Sequence, residues 1–182
     1  MTLFHDNPKL AVNDEYMTRK SAWEDIYEYI PDRFKNGNGK GNTVVWEAFY
    51  GSGTSAKYLR EMGFKVYSKN EDFFKVTKKK LDSKKIGLVV SNPAFSRKAE
   101  VLRRLKELGI PFILLLPTTT IHTKYFKNIF EGDKNIQLIF PYKKRQFDKQ
   151  GLKPGEKQND NCSFYTLYIC WKVGMKNDIT FF

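Results

Sequence analysis

The feature that most constrains this chain is the segment Ile86–Ser91, IGLVVS, where apolar residues follow one another instead of alternating with polar ones. A strand with one wet face alternates; a continuous apolar run marks a strand buried on both faces, as in parallel sheets. Short apolar runs and helical stretches alternate around it. Further strands are predicted at Thr43–Glu47, Lys65–Ser68, Phe112–Leu116, Ile136–Phe140 and, as a long final strand, Ser163–Lys172. Helices are predicted at Ser55–Met62, stopped by Gly63, at Arg97–Leu108, and within Lys124–Phe130. The Arg97–Leu108 helix carries Val101, Leu102, Leu105 and Leu108 on one side and Gly109 as its stop. Nearer the N-terminus, Ser21-Ala22-Trp23-Glu24 reads as a capping box. The stripe Trp23, Ile26, Tyr27, Ile30 follows and Pro31 ends it. The first 20 residues read as a polar arm, and Asn36–Asn42, NGNGKGN, as a flexible loop. This order predicts an α/β sheet covered on both faces, in one 182-residue domain without repeats or a linker.

Composition narrows the partners. Hydrophobic residues at 41% and aromatics at 15% exclude a disordered chain. Lys and Arg number 32 against 20 Asp and Glu, and the resulting +12 favours a polyanion: DNA, RNA or an anionic membrane surface. The longest apolar run, Ile110–Pro117, is far short of the ~20 residues of a spanning helix. The start, MTLFHDNPKL, lacks a basic patch followed by an apolar stretch. No secretion signal or membrane partner is therefore expected, and the location is intracellular, in cytoplasm or nucleus. Cys162 and Cys170 exclude a disulfide scaffold and a four-cysteine zinc site. With His5 and His122 scattered along the chain, no metal is expected, and His122 reads as a surface or helix-start residue.

Glu47-Ala48-Phe49-Tyr50-Gly51-Ser52-Gly53-Thr54 lies between the first strand and the helix after it, and Gly51, Gly53 and Ala56 satisfy G-x-G-x-x-A. Glycines allow a sharp turn and close approach to a ligand, and the helix behind offers free N–H groups. A dinucleotide would want an acid about 20 positions on, where Glu71 stands, but little chain remains for a substrate domain. Glu47, at the end of the first strand, would repel a pyrophosphate and suits the ammonium or sulfonium charge of S-adenosyl-L-methionine.

Ser91-Asn92-Pro93-Ala94-Phe95-Ser96 follows the buried strand. It resembles the N-P-P-F/Y/W motif of amino-methylating, adenosylmethionine-dependent methyltransferases, and most of all the small DNA adenine-N6 methyltransferases of phages and viruses. EAFYGSGTSAKYL is similar to their cofactor loop, EDFF (Glu71–Phe74) to the segment beneath the cofactor adenine, and LGIPFILLLP to their next strand. NDEYMTRKSAW (Asn13–Trp23) is similar to their N-terminal cofactor clamp, so the likeness covers roughly residues 13 to 117. The resemblance implies a Rossmann-like class I methyltransferase fold, a mixed, mostly parallel seven-stranded sheet of order 3-2-1-4-5-7-6 whose last strand is antiparallel. It implies a cofactor site of Tyr16, Thr18, Glu47, Phe49, Gly51, Gly53, Thr54, Asn70, Glu71, Asp72, Phe73 and Asn92. It also implies a catalytic set of Asn92, Pro93 and Phe95, and a host-cell location if the protein is viral.

These residue types fit the chemistry. The adenine amine is a poor nucleophile because its lone pair is delocalised into the ring. By resemblance, the Asn92 side-chain oxygen and the Pro93 carbonyl accept its two N–H bonds and free that pair, and Pro93 keeps Asn92 extended. Phe95 would stack on a base swung out of its helix. Two positions depart from the family: Ala94 replaces the second proline, and Asn70 stands where an acid usually grips the ribose, a role Glu71 could take.

Basic residues gather at Lys78–Lys80 with Lys84 and Lys85, at Arg97 and Lys98, at Arg103 and Arg104, and at Lys143, Lys144 and Arg145. The segment Lys143–Asn161 is too long for an ordinary connection and is the expected target-binding loop, with Arg145 for phosphate and Phe147 for stacking. Phe164, Tyr165, Tyr168 and Trp171 alternate like core residues. No separate recognition domain is expected, so specificity would be low, short, or supplied by a partner or a homodimer. Alternatives that keep the chemistry are adenine in RNA or a protein glutamine amide, the latter disfavoured by +12. An inactive nucleic-acid-binding subunit is a third.

Overall fold

A computed structural model describes residues 16–35, 43–149 and 164–182. Its strands are β1 (Tyr16–Thr18), β2 (Val44–Trp46), β3 (Lys65–Tyr67), β4 (Ile86–Ser91), β5 (Phe112–Pro117), β6 (Ile136–Phe140), β7 (Phe147–Lys149), β8 (Thr166–Trp171) and β9 (Ile179–Phe181). The α-helices are α1 (Lys20–Glu24), α2 (Thr54–Glu61), α3 (Lys78–Ser83), α4 (Lys98–Leu108) and α5 (Lys124–Phe130). Seven strands form one sheet in the order β3-β2-β4-β5-β8-β6-β9, and β1 pairs with β7 in a separate antiparallel ribbon.

The unbroken apolar strand lies inside the sheet, with β2 and β5 parallel to it on either side and Leu88, Val89 and Val90 fully buried. Strand alternation divides the core in two. Val45, Leu88, Val90, Ile113, Leu115, Tyr168 and Cys170 point to one face, under Trp23 of α1 and Leu59 of α2. Trp46, Val89, Leu114, Leu116 and Ile169 point to the other, under Leu81 of α3, Phe130 of α5 and the Val101-Leu102-Leu105-Leu108 stripe of α4. Helices therefore cover both faces, as expected, and Gly109 ends α4 at φ +68.

Three expectations are corrected. The sheet has seven strands, but among the described residues β3 is its edge, with no further strand outside it: after β3 the chain makes a 3-10 turn, Phe73–Lys75, then α3, and enters β4. The seventh strand is β9, parallel to β6 on the opposite edge, reached through a turn at Gly174 (φ +69). The observed order is thus 2-1-3-4-6-5-7 by position along the sheet, while the long strand β8 is antiparallel to both neighbours, as the resemblance implied. The capping box at Ser21 does not form. Arg19 occupies the N-cap without capping the helix by its side chain; its guanidinium instead reaches Asp148 at 2.7 Å, where the β1–β7 ribbon fixes the helix start. The stripe splits, with Trp23, Ile26 and Ile30 buried and Tyr27 exposed beyond the short α1. Asn36–Asn42 and most of Lys143–Asn161 lie outside the described residues. The described start of the latter is ordered into β7.

Among the described residues, no helix is long and apolar enough to cross a membrane, and no His, Cys, Asp or Glu group is arranged to hold a metal ion.

Candidate active site

Strands β2, β3, β4 and β5 run parallel, so their C-terminal ends share one sheet edge. The chain leaves β2 toward β3 on one side, then returns to β4 on the other. The crevice between β2 and β4 is therefore the switch point where α/β sheets bind ligands. Both sequence motifs emerge there.

After β2 the backbone turns at Tyr50–Gly53, where the Gly53 N–H donates to the Tyr50 carbonyl at 2.7 Å. Gly51 and Gly53 have φ of +51 and +79, and Gly53 is the N-cap of α2. An added Cβ on Gly53 would lie 3.2 Å from the Tyr50 hydroxyl, so glycine serves both the backbone conformation and the packing of that ring. Ser52 Oγ and Thr54 Oγ1 are 2.5 Å apart, and Ser52 Oγ lies 3.6 Å from Met17 Sδ. The N-terminal segment expected as a clamp therefore does reach the glycine turn, through Met17 of β1, beside buried Thr18. Tyr16 forms the first pair of the ribbon, with Lys149.

Glu47 is buried and its carboxylate accepts three hydrogen bonds: Ser91 Oγ at 2.6 Å, Ser68 Oγ at 3.1 Å and the Phe49 N–H at 3.2 Å. One side chain so ties together the ends of β2, β3 and β4. Burial pushes its carboxyl up to about 7, while the bonds from Ser91, Ser68 and Phe49 pull it down. Sequence reasoning missed Ser91 and Ser68. The available signal was a polar residue closing an otherwise apolar strand.

Asn92 follows directly on the adjacent strand. Its Oδ1 is buried and accepts no hydrogen bond among the described residues. Pro93 behind it is buried, whereas Ala94 is exposed with φ −54. An unpaired buried carbonyl oxygen costs about 1–3 kcal/mol, which a ligand N–H would relieve. Phe95 is half-buried, edge-on to Phe164 at 5.4 Å and to Phe147 at 6.5 Å.

Beneath β2, Phe73 stacks on Trp46 (5.6 Å) and packs against half-buried Phe49 (4.8 Å) and Phe74 (4.9 Å). Asp72 caps this turn by accepting from the Phe74 N–H at 3.0 Å. Asn70 is exposed. Glu71 accepts from the Tyr67 hydroxyl at 2.8 Å and pairs with Lys80. Burial alone would raise its carboxyl, but Lys80 and Tyr67 outweigh it and hold it below the ordinary value.

The expected nucleic-acid contacts divide. Phe147 is 3% exposed and packs in the core, because β7 pairs with β1 and turns its first side chain inward. Arg145 pairs with Asp25 and lies over the Phe182 ring. Both serve structure where stacking and phosphate contact were expected. Arg97 pairs with Glu100 and covers the Phe74 ring at 3.9 Å, and Lys98 Nζ donates to the Phe95 carbonyl at 3.0 Å. Lys143 and Lys144 remain exposed. The aromatic set also divides: Tyr168 and Trp171 are core, Phe164 is half-buried, and Tyr165, which precedes β8, is 53% exposed.

Fold and site together define a Rossmann-like α/β domain with a polar site at its switch point. Three solved structures are similar to it. The S. pombe Dnmt2 methyltransferase matches with a TM-score of 0.43 and 13% identity, over 76% of this chain and 51% of that one. A candidate class I S-adenosylmethionine-dependent methyltransferase of Listeria monocytogenes matches at 0.49 and 11%, over 92% and 65%. A candidate methyltransferase of Thermoplasma acidophilum matches at 0.38 and 12%, over 80% and 62%. The chain spans between half and two-thirds of each of these structures. No family model and no curated protein matches the sequence.

Proposed function

We propose that this chain is an S-adenosyl-L-methionine-dependent methyltransferase that methylates the exocyclic N6 amine of adenine in DNA. The observation that carries this reading is the buried, unpartnered Oδ1 of Asn92, fixed at the switch point between a glycine turn and an N-P-A-F turn. An acceptor held there without a donor suits an amine N–H of the substrate. Bonding to it draws the amine toward tetrahedral geometry and returns its lone pair to nitrogen. The oxygen is preorganised, so no side chain has to reorient during the reaction. Pro93 restricts Asn92, and Phe95 offers a ring edge-braced by Phe164 and Phe147 for the base.

The cofactor side fits the same edge. Glu47, buried beneath the turn, would place negative charge under the cationic amino-acid end, Gly51 and Gly53 would permit close backbone approach, and half-buried Phe49, backed by buried Phe73, would lie beside the adenine. When bound, this cofactor supplies a methyl group already activated by its sulfonium. Asn70 and Asp72 are exposed, and Glu71, whose two oxygens are engaged by Tyr67 and Lys80, would have to exchange one of these partners to hold the ribose. The +12 charge supports a nucleic-acid substrate. Sequence preference on this reading is low, or supplied by a partner subunit.

The test is incubation with tritiated adenosylmethionine and separate DNA, RNA and protein samples, followed by nucleoside mass spectrometry. Label in N6-methyladenine from DNA is the expected result. Label in RNA or glutamine would move the acceptor, and cofactor binding without transfer would support an inactive subunit.

A further inference from the structure

Two exposed tyrosines stand beyond the catalytic turn, and neither is used by the chemistry above. Tyr142 is 74% and Tyr165 53% exposed. Lysines lie over both rings, Lys143 Nζ 4.9 Å from the Tyr142 centroid and Lys144 Nζ 4.8 Å from that of Tyr165. Tyr142 follows β6 and Tyr165 precedes β8, which pairs antiparallel with β6 (Ile139 opposite Tyr168), so the two tyrosines and their lysines lie at the same end of that strand pair. Neither lysine is paired with a carboxylate among the described residues. The backbone beneath is firm: the Tyr142 N–H donates to the Phe182 carbonyl at 2.8 Å, and the Thr118 N–H to the Tyr165 carbonyl at 2.9 Å.

The patch also has a direction. Tyr165 abuts the start of β8, which lies opposite Pro117 at the end of β5, so the patch shares the sheet edge that carries Asn92. Phe164, next in the chain, touches Phe95 of the catalytic turn at 5.4 Å. An exposed ring with an ammonium over one face suits a base stacked on the other, with the cation near its phosphate. Bases offer their faces freely only in a single strand.

We propose that Tyr142 and Tyr165, with Lys143 and Lys144, form a single-strand-binding platform that leads unpaired polynucleotide to the Asn92 turn. This rests on the nucleic-acid reading above and moves the stacking role from Phe147, which is in the core, to these two rings. Anisotropy with labelled oligothymidylate, an abasic strand of equal length and a duplex tests it. Thymine lacks an exocyclic amine, so binding is read independently of the methylation step.

The expected order is oligothymidylate tighter than the abasic strand, and tighter than duplex. Tyr142→Ala and Tyr165→Ala should each weaken oligothymidylate binding roughly 5- to 150-fold, without changing abasic affinity or thermal unfolding. Tyr142→Trp should retain binding. Lys143→Gln and Lys144→Gln should each lower the salt slope by about 0.7 on both strands. Equal binding by the tyrosine variants, equal binding of thymidylate and abasic strands by the wild type, or binding of neither would overturn the platform. Loss of methyl transfer in Asn92→Ala with thymidylate binding intact would leave it standing. Normal adenine methylation by the tyrosine variants with undiminished binding would overturn the platform alone.

Discussion

The turns after β2 and β4 lie side by side, and each removes side-chain oxygen from water, yet they treat it in opposite ways. Glu47 in the first accepts from Ser91, Ser68 and the Phe49 N–H. Asn92 in the second presents an Oδ1 that accepts from no described residue. The first turn is a frame, holding three strand ends in register through its own hydrogen bonds. The second keeps an acceptor whose desolvation only a ligand offsets. A site needs both: a satisfied scaffold gives the unsatisfied atom its fixed position.

The largest stability effect expected from this contrast is a pH dependence. The Glu47 carboxyl is raised from 4.5 to about 7 on folding, so the native state binds the extra proton between those values. Its contribution is fully present below the unfolded value and is lost as pH rises through about 7. Relative to Glu47→Gln, the wild type should lose on the order of 3 kcal/mol between these limits, read from urea unfolding. Parallel pH profiles for the two proteins would show that Glu47 does not titrate in the frame. Next, Glu47→Ala at pH 5 leaves the Ser91 hydroxyl and the Phe49 N–H without an acceptor. It should cost about 1–3 kcal/mol, and a silent substitution would dissolve the frame.

Smaller effects sharpen the comparison at the glycine and proline positions. Gly53→Ala must hold φ +79 and crowd the Tyr50 ring. A loss of about 1–2 kcal/mol is expected, with weaker adenosylmethionine binding by calorimetry; unchanged affinity would remove this turn from the cofactor site. Ala94→Pro is the smallest. Ala94 has φ −54, within the range of proline, so restoring the second proline should raise stability by about 0.4–1 kcal/mol and leave the rate equal or higher. A destabilised variant would mean that the turn differs from the N-P-P-F form it resembles.

How much was legible in the sequence follows the same division of the molecule. The parallel half was readable because its signals are local: the apolar run of β4, the four-residue stripe of α4, and the glycines that end α2 and α4. Glu47 was readable as an acid at the end of the first strand, and Asn92 through the likeness of its turn to the N-P-P-F/Y/W motif. What escaped depends on distant pairing. The three-residue strands Tyr16–Thr18 and Phe147–Lys149 have no meaning apart from one another, and only their pairing turns Phe147 into the core and sets Arg19 against Asp148. Strand β9 is equally short, and its place was invisible without β6. Tyr165 was misread by extending an alternation one residue beyond the strand that creates it.

The central claim is that Asn92 Oδ1 is held unpaired for the substrate amine. The most direct measurement is single-turnover methyl transfer to adenine-containing DNA by Asn92→Ala, with thermal unfolding of the same preparation. Because that oxygen makes no bond among the described residues and its desolvation is a cost in the wild type, the variant should unfold no more easily than the wild type. Its methyl transfer should fall about 100- to 1000-fold, while binding of oligothymidylate is unchanged. An Asn92→Ala protein that methylates adenine as fast as the wild type would contradict the claim.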